Sequence, residues 1–292
     1  MNNQKKLGYF SIFPGILILL TFVFYPICLT FFYSLHYFKL TRLNEQKFIY
    51  FKNYIDILSS SEFYSALFNT SIIIFIVIIL GLIGSFFVAF LLKEKTKITG
   101  LLTGIAIIPW ALPPVVNGLI WKFIFYPEIG LINKIFYNLH IVTEPLTWLN
   151  NRYSTLFIIG IIVSWRVIPF SAILILTNLQ AIPKSLYEAA SIDGANTFEK
   201  FKYITLPFIL PTIGVILCNF TLNSINVFDE IISLVGYRTL NETLIIYNYN
   251  QTFSFLNIGY GSSITYIIML ATGILGYIYI LILQKGAKDD II

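Results

Sequence analysis

Apolar residues in this chain fall in long unbroken runs instead of alternating with polar ones. Six runs stand out, at about 9–35, 66–92, 99–124, 154–180, 206–229 and 263–284, each near or beyond the roughly 20 residues a helix needs to cross a bilayer. In hydrocarbon, every backbone N–H and C=O must be satisfied inside the segment, so each run is predicted to be a transmembrane helix. The expected fold class is all-α, a polytopic membrane protein with six transmembrane helices in a single domain over 1–292. Pro14, Pro26, Pro109, Pro113, Pro114, Pro169 and Pro211 lie in or near the runs, and neighbouring helices are expected to absorb their kinks. The start, MNNQKK followed by apolar residues, is like a signal peptide. The run after it is too long for such a segment's apolar core and no small-residue cleavage site follows, so it is expected to be a retained span.

One dense polar block interrupts this pattern, "EAASIDGANTFEKFKYITLP" at 188–207. Pro183 suits a helix start, and Leu186, Ala189, Ala190 and Asp193 follow at helical spacing. Asp193-Gly194 is a turn or helix-stop signal. A second helix then carries Phe198, Phe201 and Ile204 on one face, with Glu199, Lys200 and Lys202 elsewhere, and Pro207 opens the next span. Such a pair is either an amphipathic loop on the lipid surface or a docking element for a cytoplasmic protein.

Composition agrees with the pattern: the chain is 57% hydrophobic and 11% charged, against about 25% charged in a soluble domain. A net charge of +5 in such a chain belongs to loops facing anionic lipid, and no basic patch reads as a nucleic-acid site. With the N-terminus inside, the inner segments hold Lys5, Lys6, Lys93, Lys95, Lys97, Lys184, Lys200, Lys202, Lys285 and Lys288. The longer outer segments hold Lys39, Arg42, Lys47, Lys52, Lys134, Arg152 and Arg238. This bias puts both termini and the polar block in the cytoplasm. Cys28 and Cys218 read as core or lipid-facing residues, and with the isolated His36 and His140 they assemble no metal site.

Polar residues inside the runs are candidates for contact with a solute. Asn219, Asn223 and Asn226, with Glu230 just beyond, share one helical face by spacing. Amides both donate and accept, which suits hydroxyl groups of a polar ligand; the competing role is interhelical hydrogen bonding, about 0.6 kcal/mol each. Trp110, Asn117 and Trp121 are spaced to share a face of the third run, with aromatic stacking on a ligand's apolar face set against interfacial anchoring. Arg166 lies near the middle of the fourth run, where a charge costs roughly 2.5–3.5 kcal/mol on insertion scales. It is expected to face the bundle interior, a water-filled cavity or a carboxylate; Asp229 and Glu230 lie nearer the outer surface. Gly81, Ser85 and Ala89 form a small-residue stripe for helix packing.

Glu188-Ala189-Ala190, then Gly194, then Ile204, Leu206 and Pro207 resemble the EAA loop of the inner-membrane permease subunits of bacterial ABC importers, and Asp193, Ala195 and Phe201 fit its fuller form. "IPWALPPVVNGLIWKFIF" (108–125), "EIGLIN" (128–133) and "WRVIPFSAILILTNLQAIP" (165–183) resemble the carbohydrate-importing branch, and "FPGILILLTFVFYPICLTFFYSL" (13–35) looks like its maltose-type or glycerol-phosphate-type first permease. The resemblance covers most of 10–285; "SLVGYRTLNETL" (233–244) departs from it, where many relatives carry Gly-Gly-Pro.

The resemblance implies a type I ABC importer-like permease with a cytoplasmic coupling helix in the EAA loop, 182–207. It implies half of a translocation pore for a di- or oligosaccharide, with glycerol phosphate or another polar solute as the alternative. The implied partners are a second permease in a heterodimer, two ATP-binding subunits, an external solute-binding protein and the lipid of a bacterial inner membrane. ATP and Mg would be used by those partners, with no cofactor on this chain. Glu188, Ala189, Ala190, Asp193, Gly194, Ala195 and Phe201 would serve ATPase coupling, and Asn219, Asn223, Asn226, Asn117, Trp110 and Arg166 the solute pathway. No P-loop, HExxH or GxSxG is present, so no enzyme activity is expected. "NIGYGSS" (257–263) partly matches a potassium-channel filter but lacks its Thr and has no room for a pore helix.

Overall fold

The structure, a computed structural model, describes residues 12–94, 96–237 and 239–289. Lys5, Lys6, Lys95 and Arg238, counted above for orientation, and the start of the first run lie outside them. In chain order the elements are α1 (Ile12–Ser34), strands β1 (His36–Tyr37) and β2 (Lys47–Phe48), α2 (Lys52–Leu58), α3 (Ser61–Lys93), α4 (Thr99–Ala111) and α5 (Pro114–Ile124). There follow α6 (Leu131–Asn138), α7 (Arg152–Ala181), α8 (Lys184–Ile192), α9 (Thr197–Ile225), α10 (Asp229–Val235), α11 (Leu244–Tyr249) and α12 (Ile258–Asp289). Among them, α1, α3, α7, α9 and α12 are long and apolar enough to cross a membrane, and the bent pair α4–α5 makes a sixth candidate.

The prolines act differently along the chain. In α1 and α9 a π turn ends just before a proline: Leu20–Phe24 before Pro26, and Phe201–Thr205 before Pro207. Proline supplies no N–H and crowds the carbonyl four residues back, here Phe22 or Tyr203; the wider turn relieves that crowding without ending the helix. Tandem prolines are another matter. A residue before proline is driven to extended backbone, and both Leu112 (ψ 137°) and Pro113 (ψ 139°) obey. The third run therefore breaks into α4 and α5, bent by 98°, where one continuous helix over 99–124 is the sequence expectation.

The chain divides into two compact units, one reaching to Tyr64 and including Tyr247–Leu270, the other comprising Ser65–Ile246 and the chain from Ala271. In the first unit, β1 and β2 pair antiparallel, His36 opposite Phe48. The carbonyl of Ser34 ends α1 as a hub, accepting from Asn53 Nδ2 at 2.9 Å and from Ser263 Oγ at 2.9 Å.

In the second unit α7 is the axis. Leu156, Ile159, Ile162, Val163, Ala172 and Ile175 along it are wholly buried. Asn151 caps its start, its side chain accepting from the N–H of Tyr153 and Ser154. Ile73, Val77, Gly81, Ser85 and Ala89 form the buried stripe of α3. In lipid, tails are as apolar as leucine, so close packing drives association and small residues allow it. A side chain at Gly81 would strike the Phe220 ring of α9 at 2.7 Å, and one at Gly84 would strike Ile168 of α7. The stripe is a packing surface. "NIGYGSS" opens α12, and the carbonyls of Gly259 and Gly261 already accept from Ser263 Oγ and Thr265 Oγ1. Within a regular helix their carbonyls run along the helix axis instead of lining a filter, which removes the channel reading.

Candidate functional site

The polar block folds as a helix, a tight turn and the start of a second long helix. α8 ends in a complete glycine cap: the N–H of Gly194 donates to Ser191 O at 3.2 Å and that of Ala195 to Ala190 O at 2.9 Å. This pattern needs a left-handed residue at its centre, and Gly194 supplies it at φ +81°. Asn196 then starts α9 with a capping box. Its side chain accepts from Glu199 N at 3.0 Å, and Glu199 Oε2 accepts from Asn196 N at 2.7 Å.

Three contacts fix the pair to each other and to the span ends. Tyr187 and Thr205 join hydroxyls at 2.8 Å, Lys200 Nζ donates to Ser191 Oγ at 2.7 Å, and Lys93 Nζ stands 5.5 Å over the Tyr187 ring. Phe201 packs edge-on against Phe86, 6.4 Å between centroids. Yet α8 has no buried residue. Glu188, Ala189, Asp193 and Gly194 are exposed, Ala190, Ala195 and Phe201 half-buried, and Ile192 is 86% exposed. Phe198 does not join Phe201 and Ile204 on a packed face as the spacing suggests; it lies one turn ahead of them, 71% exposed. The result is a rigidly mounted helix with an unpaired apolar face.

A second polar cluster lies at the junction of α5, α7 and α10. Arg166 Nε lies 2.8 Å from Glu230 Oε1, and the Glu230 side chain is 3% exposed. The charge has found a carboxylate, as its position in a span demands. Glu230 reaches it because α9 ends at Ile225, short of the expected 229, and the chain turns through Asn226–Phe228 into α10. That helix packs on α5 through Gly118, where a Cβ would meet Ser233 Oγ and, at 2.8 Å, the Glu230 carbonyl. Beside it, Asn117 is wholly buried with neither amide atom paired, and Trp121 Nε1 is also buried without a partner.

The remaining candidates divide. Asn219 and Asn223 are half-buried and tied together, Asn223 Nδ2 donating to Asn219 Oδ1 at 3.2 Å. Asn226 is exposed at the end of the helix and donates to Leu222 O at 2.8 Å. Trp110 does not share a face with Asn117 and Trp121, because the break at Leu112–Pro113 separates them; it stacks on Phe170 at 6.1 Å.

Arg152, which sequence reasoning treats only as a loop charge, helps hold the 233–244 segment. Its Nε donates to Asn69 Oδ1 at 2.8 Å and its carbonyl accepts from Asn241 Nδ2 at 3.3 Å, while Asn69 Nδ2 donates to Glu242 O at 2.8 Å. The "SLVGYRTLNETL" segment, divergent in sequence, is thus anchored to α3 and α7. The signal for this was weak: one Asn near the start of a run.

The model of the family described as "Binding-protein-dependent transport system inner membrane component" matches residues 81–288. The chain is 36% identical to the trehalose/maltose transport system permease protein MalF of Thermococcus litoralis over 92% of each chain. It is 32% identical to the arabinooligosaccharides transport system permease protein AraP of Bacillus subtilis, over 92% of this chain and 85% of that one. Its fold matches a solved bacterial alginate ABC transporter, in complex with an alginate pentasaccharide-bound periplasmic protein. The TM-score is 0.81 at 20% identity, covering 98% of this chain and 96% of the other.

Proposed function

This chain belongs to the family of binding-protein-dependent transport system inner membrane components, and from that premise we propose that it is a permease subunit forming half of the pore of an ATP-driven sugar importer. The observation that carries the reading is α8: a helix with no buried residue, mounted between two spans by the Tyr187–Thr205 and Lys200–Ser191 contacts and ended by a glycine turn that sets its direction. Exposed apolar side chains on a rigid mount suit a groove on another protein better than open water.

In this reading α8 is a cytoplasmic coupling helix. Glu188 meets a basic group on an ATP-hydrolysing subunit, and Ala189, Ala190, Asp193, Gly194, Ala195 and Phe201 shape the docked face and its support. Two such ATP-binding subunits, using ATP and Mg, close and drive the pore through a two-state rearrangement. A second permease completes the pore as a heterodimer, and an external solute-binding protein delivers the cargo. The chain works as one permease domain in a bacterial inner membrane with both termini inside; it binds no cofactor and catalyses no reaction of its own. Gly194→Asp, at φ +81°, leaves the protein folded in the membrane and abolishes transport. Normal uptake by that variant sinks the coupling role.

A di- or oligosaccharide is the cargo that the relatives' names favour. Asn219, Asn223 and Asn226 offer the amides and Trp110 a ring, while Asn117, wholly buried, reaches the pathway only if α5 moves away from α10. The one observation that favoured an anionic solute such as glycerol phosphate, the Arg166 charge, is met within the chain by Glu230. Arg166 therefore shapes the pathway and leaves hydroxyl recognition to the amides. ATP hydrolysis by the assembled complex, stimulated by binding protein loaded with trehalose, maltose or an arabino-oligosaccharide in turn, identifies the sugar. Stimulation by glycerol phosphate alone would reverse this assignment.

A further inference from the structure

A cavity of about 660 Å³ opens where α3 and α7 end and α8 begins. Leu179 and Ile182, both nearly wholly buried, line it together with Gln180, so its wall is part apolar and part polar. Its rim carries Lys93 and Lys184 from separate elements, with Glu94 and the Tyr187 ring beside them. Neither lysine has a carboxylate within ion-pair distance among the described residues. Lys93 instead stands over the Tyr187 ring, a partner it can keep while its ammonium protons turn to an acceptor.

We propose that this cavity binds the phosphodiester headgroup of an anionic phospholipid from the inner leaflet. The inference rests on the orientation assigned above, which places the cavity at the inner membrane boundary. Three features argue for a lipid over a soluble anion. Two lysines beside a mixed wall of Leu179, Ile182, Gln180 and the Tyr187 ring match the headgroup and glycerol level of a phospholipid. The site lies at the level where two spans stop. Basic pockets between spans at this boundary suit lipid headgroups. Ser185, Ala189 and Ile192 lie on a different face of α8 from Lys184 and Tyr187, with Glu188 between the two faces, so an ATPase can dock on the first while lipid stays bound to the second. Tyr187 and Lys184 belong to the coupling helix, so the headgroup braces that helix from the membrane side.

The test is phosphatidylglycerol retention by the purified complex carrying the full chain, exchanged in nanodiscs of phosphatidylcholine with and without phosphatidylglycerol and read by native mass spectrometry. The chain is expected to retain phosphatidylglycerol and not phosphatidylcholine. The double variant Lys93→Gln, Lys184→Gln is expected to hold it roughly 30-fold more weakly, the loss for two lysine contacts at a membrane surface. Lys47→Gln, Lys134→Gln removes as much charge elsewhere and is expected to keep the lipid. Equal retention by wild type and the first variant, or equal loss by both variants, overturns the site. Displacement by inorganic phosphate in detergent also overturns it, by assigning the cavity to a soluble anion. A first variant that sheds the ATPase yet keeps the lipid overturns it too, because the rim then belongs to a protein interface. Retention is read without ATP or solute, so its failure leaves the transport reading standing, and a failed Gly194→Asp test leaves the lipid result standing.

Discussion

The 184–205 loop and the α5–α7–α10 joint both gather polar groups in an oily chain, but they are held in opposite ways. The loop's caps join near neighbours in sequence, Gly194 to Ser191, Ala195 to Ala190, Asn196 to Glu199, and most of its side chains face outward. The joint unites Arg166 and Glu230 from separate helices, with Glu230 and Asn117 buried. An exposed loop built from local bonds can be altered at little cost to the fold, because water replaces each lost partner. A buried ion pair offers no such replacement, so its loss is felt by the whole bundle. Stability therefore resides in the joint, and the loop is left free for the coupling role proposed above.

Four single variants and one double variant break or sharpen that contrast, from the largest effect on stability to the smallest. Glu230→Ala leaves the Arg166 charge unpaired inside the bundle and costs about 3–5 kcal/mol, read as a fall in the thermal midpoint of the detergent-solubilised protein. The double variant Arg166→Met, Glu230→Met recovers most of that loss; a double variant as unstable as the single one would show that the charge is not the problem.

Gly118→Ala drives a methyl into Ser233 and the Glu230 backbone and costs about 1–3 kcal/mol by overpacking. Unchanged melting would mean that the α5–α10 contact is loose. Asn196→Ala removes the N-cap of α9, about 1 kcal/mol locally. Because the lost bond lies at the surface, the thermal midpoint is expected to hold while transport falls. A shift as large as that of Gly118→Ala would place the loop in the cooperative core. Asn117→Leu removes a buried amide with no partner and is expected to be neutral or stabilising. A clear destabilisation would reveal that something in the joint satisfies that amide.

How legible each region was follows from the range of its contacts. The loop was readable because turns and helix starts are short-range: Pro183 marked the start of α8 and Asp193-Gly194 its stop, while the Asn196–Glu199 capping box came only with the structure. Even there Phe198 was misplaced, since amphipathic spacing shows which residues share a face but not how far along it the packing extends. The α3 stripe at Gly81, Ser85 and Ala89 was legible for a similar reason, one helix carrying the whole pattern. The joint was not. Pro113-Pro114 carried the signal for a break, but periodicity alone continued the helix through it and put Trp110 on the Asn117 face. Glu230 appeared too far out to meet Arg166 until the early end of α9 and the fold-back of α10 brought it inward.

The sequence by itself determined the class, the five long apolar helices and the polar helix–turn–helix, because each follows from local burial and local hydrogen bonding. Only the tertiary structure decided that a tandem proline ends a helix by 98°, that Arg166 meets Glu230, and that Lys93 and Lys184 rim one cavity. Those outcomes depend on which helices touch. In an apolar chain nearly every helix face can be buried, so pattern alone does not choose among them.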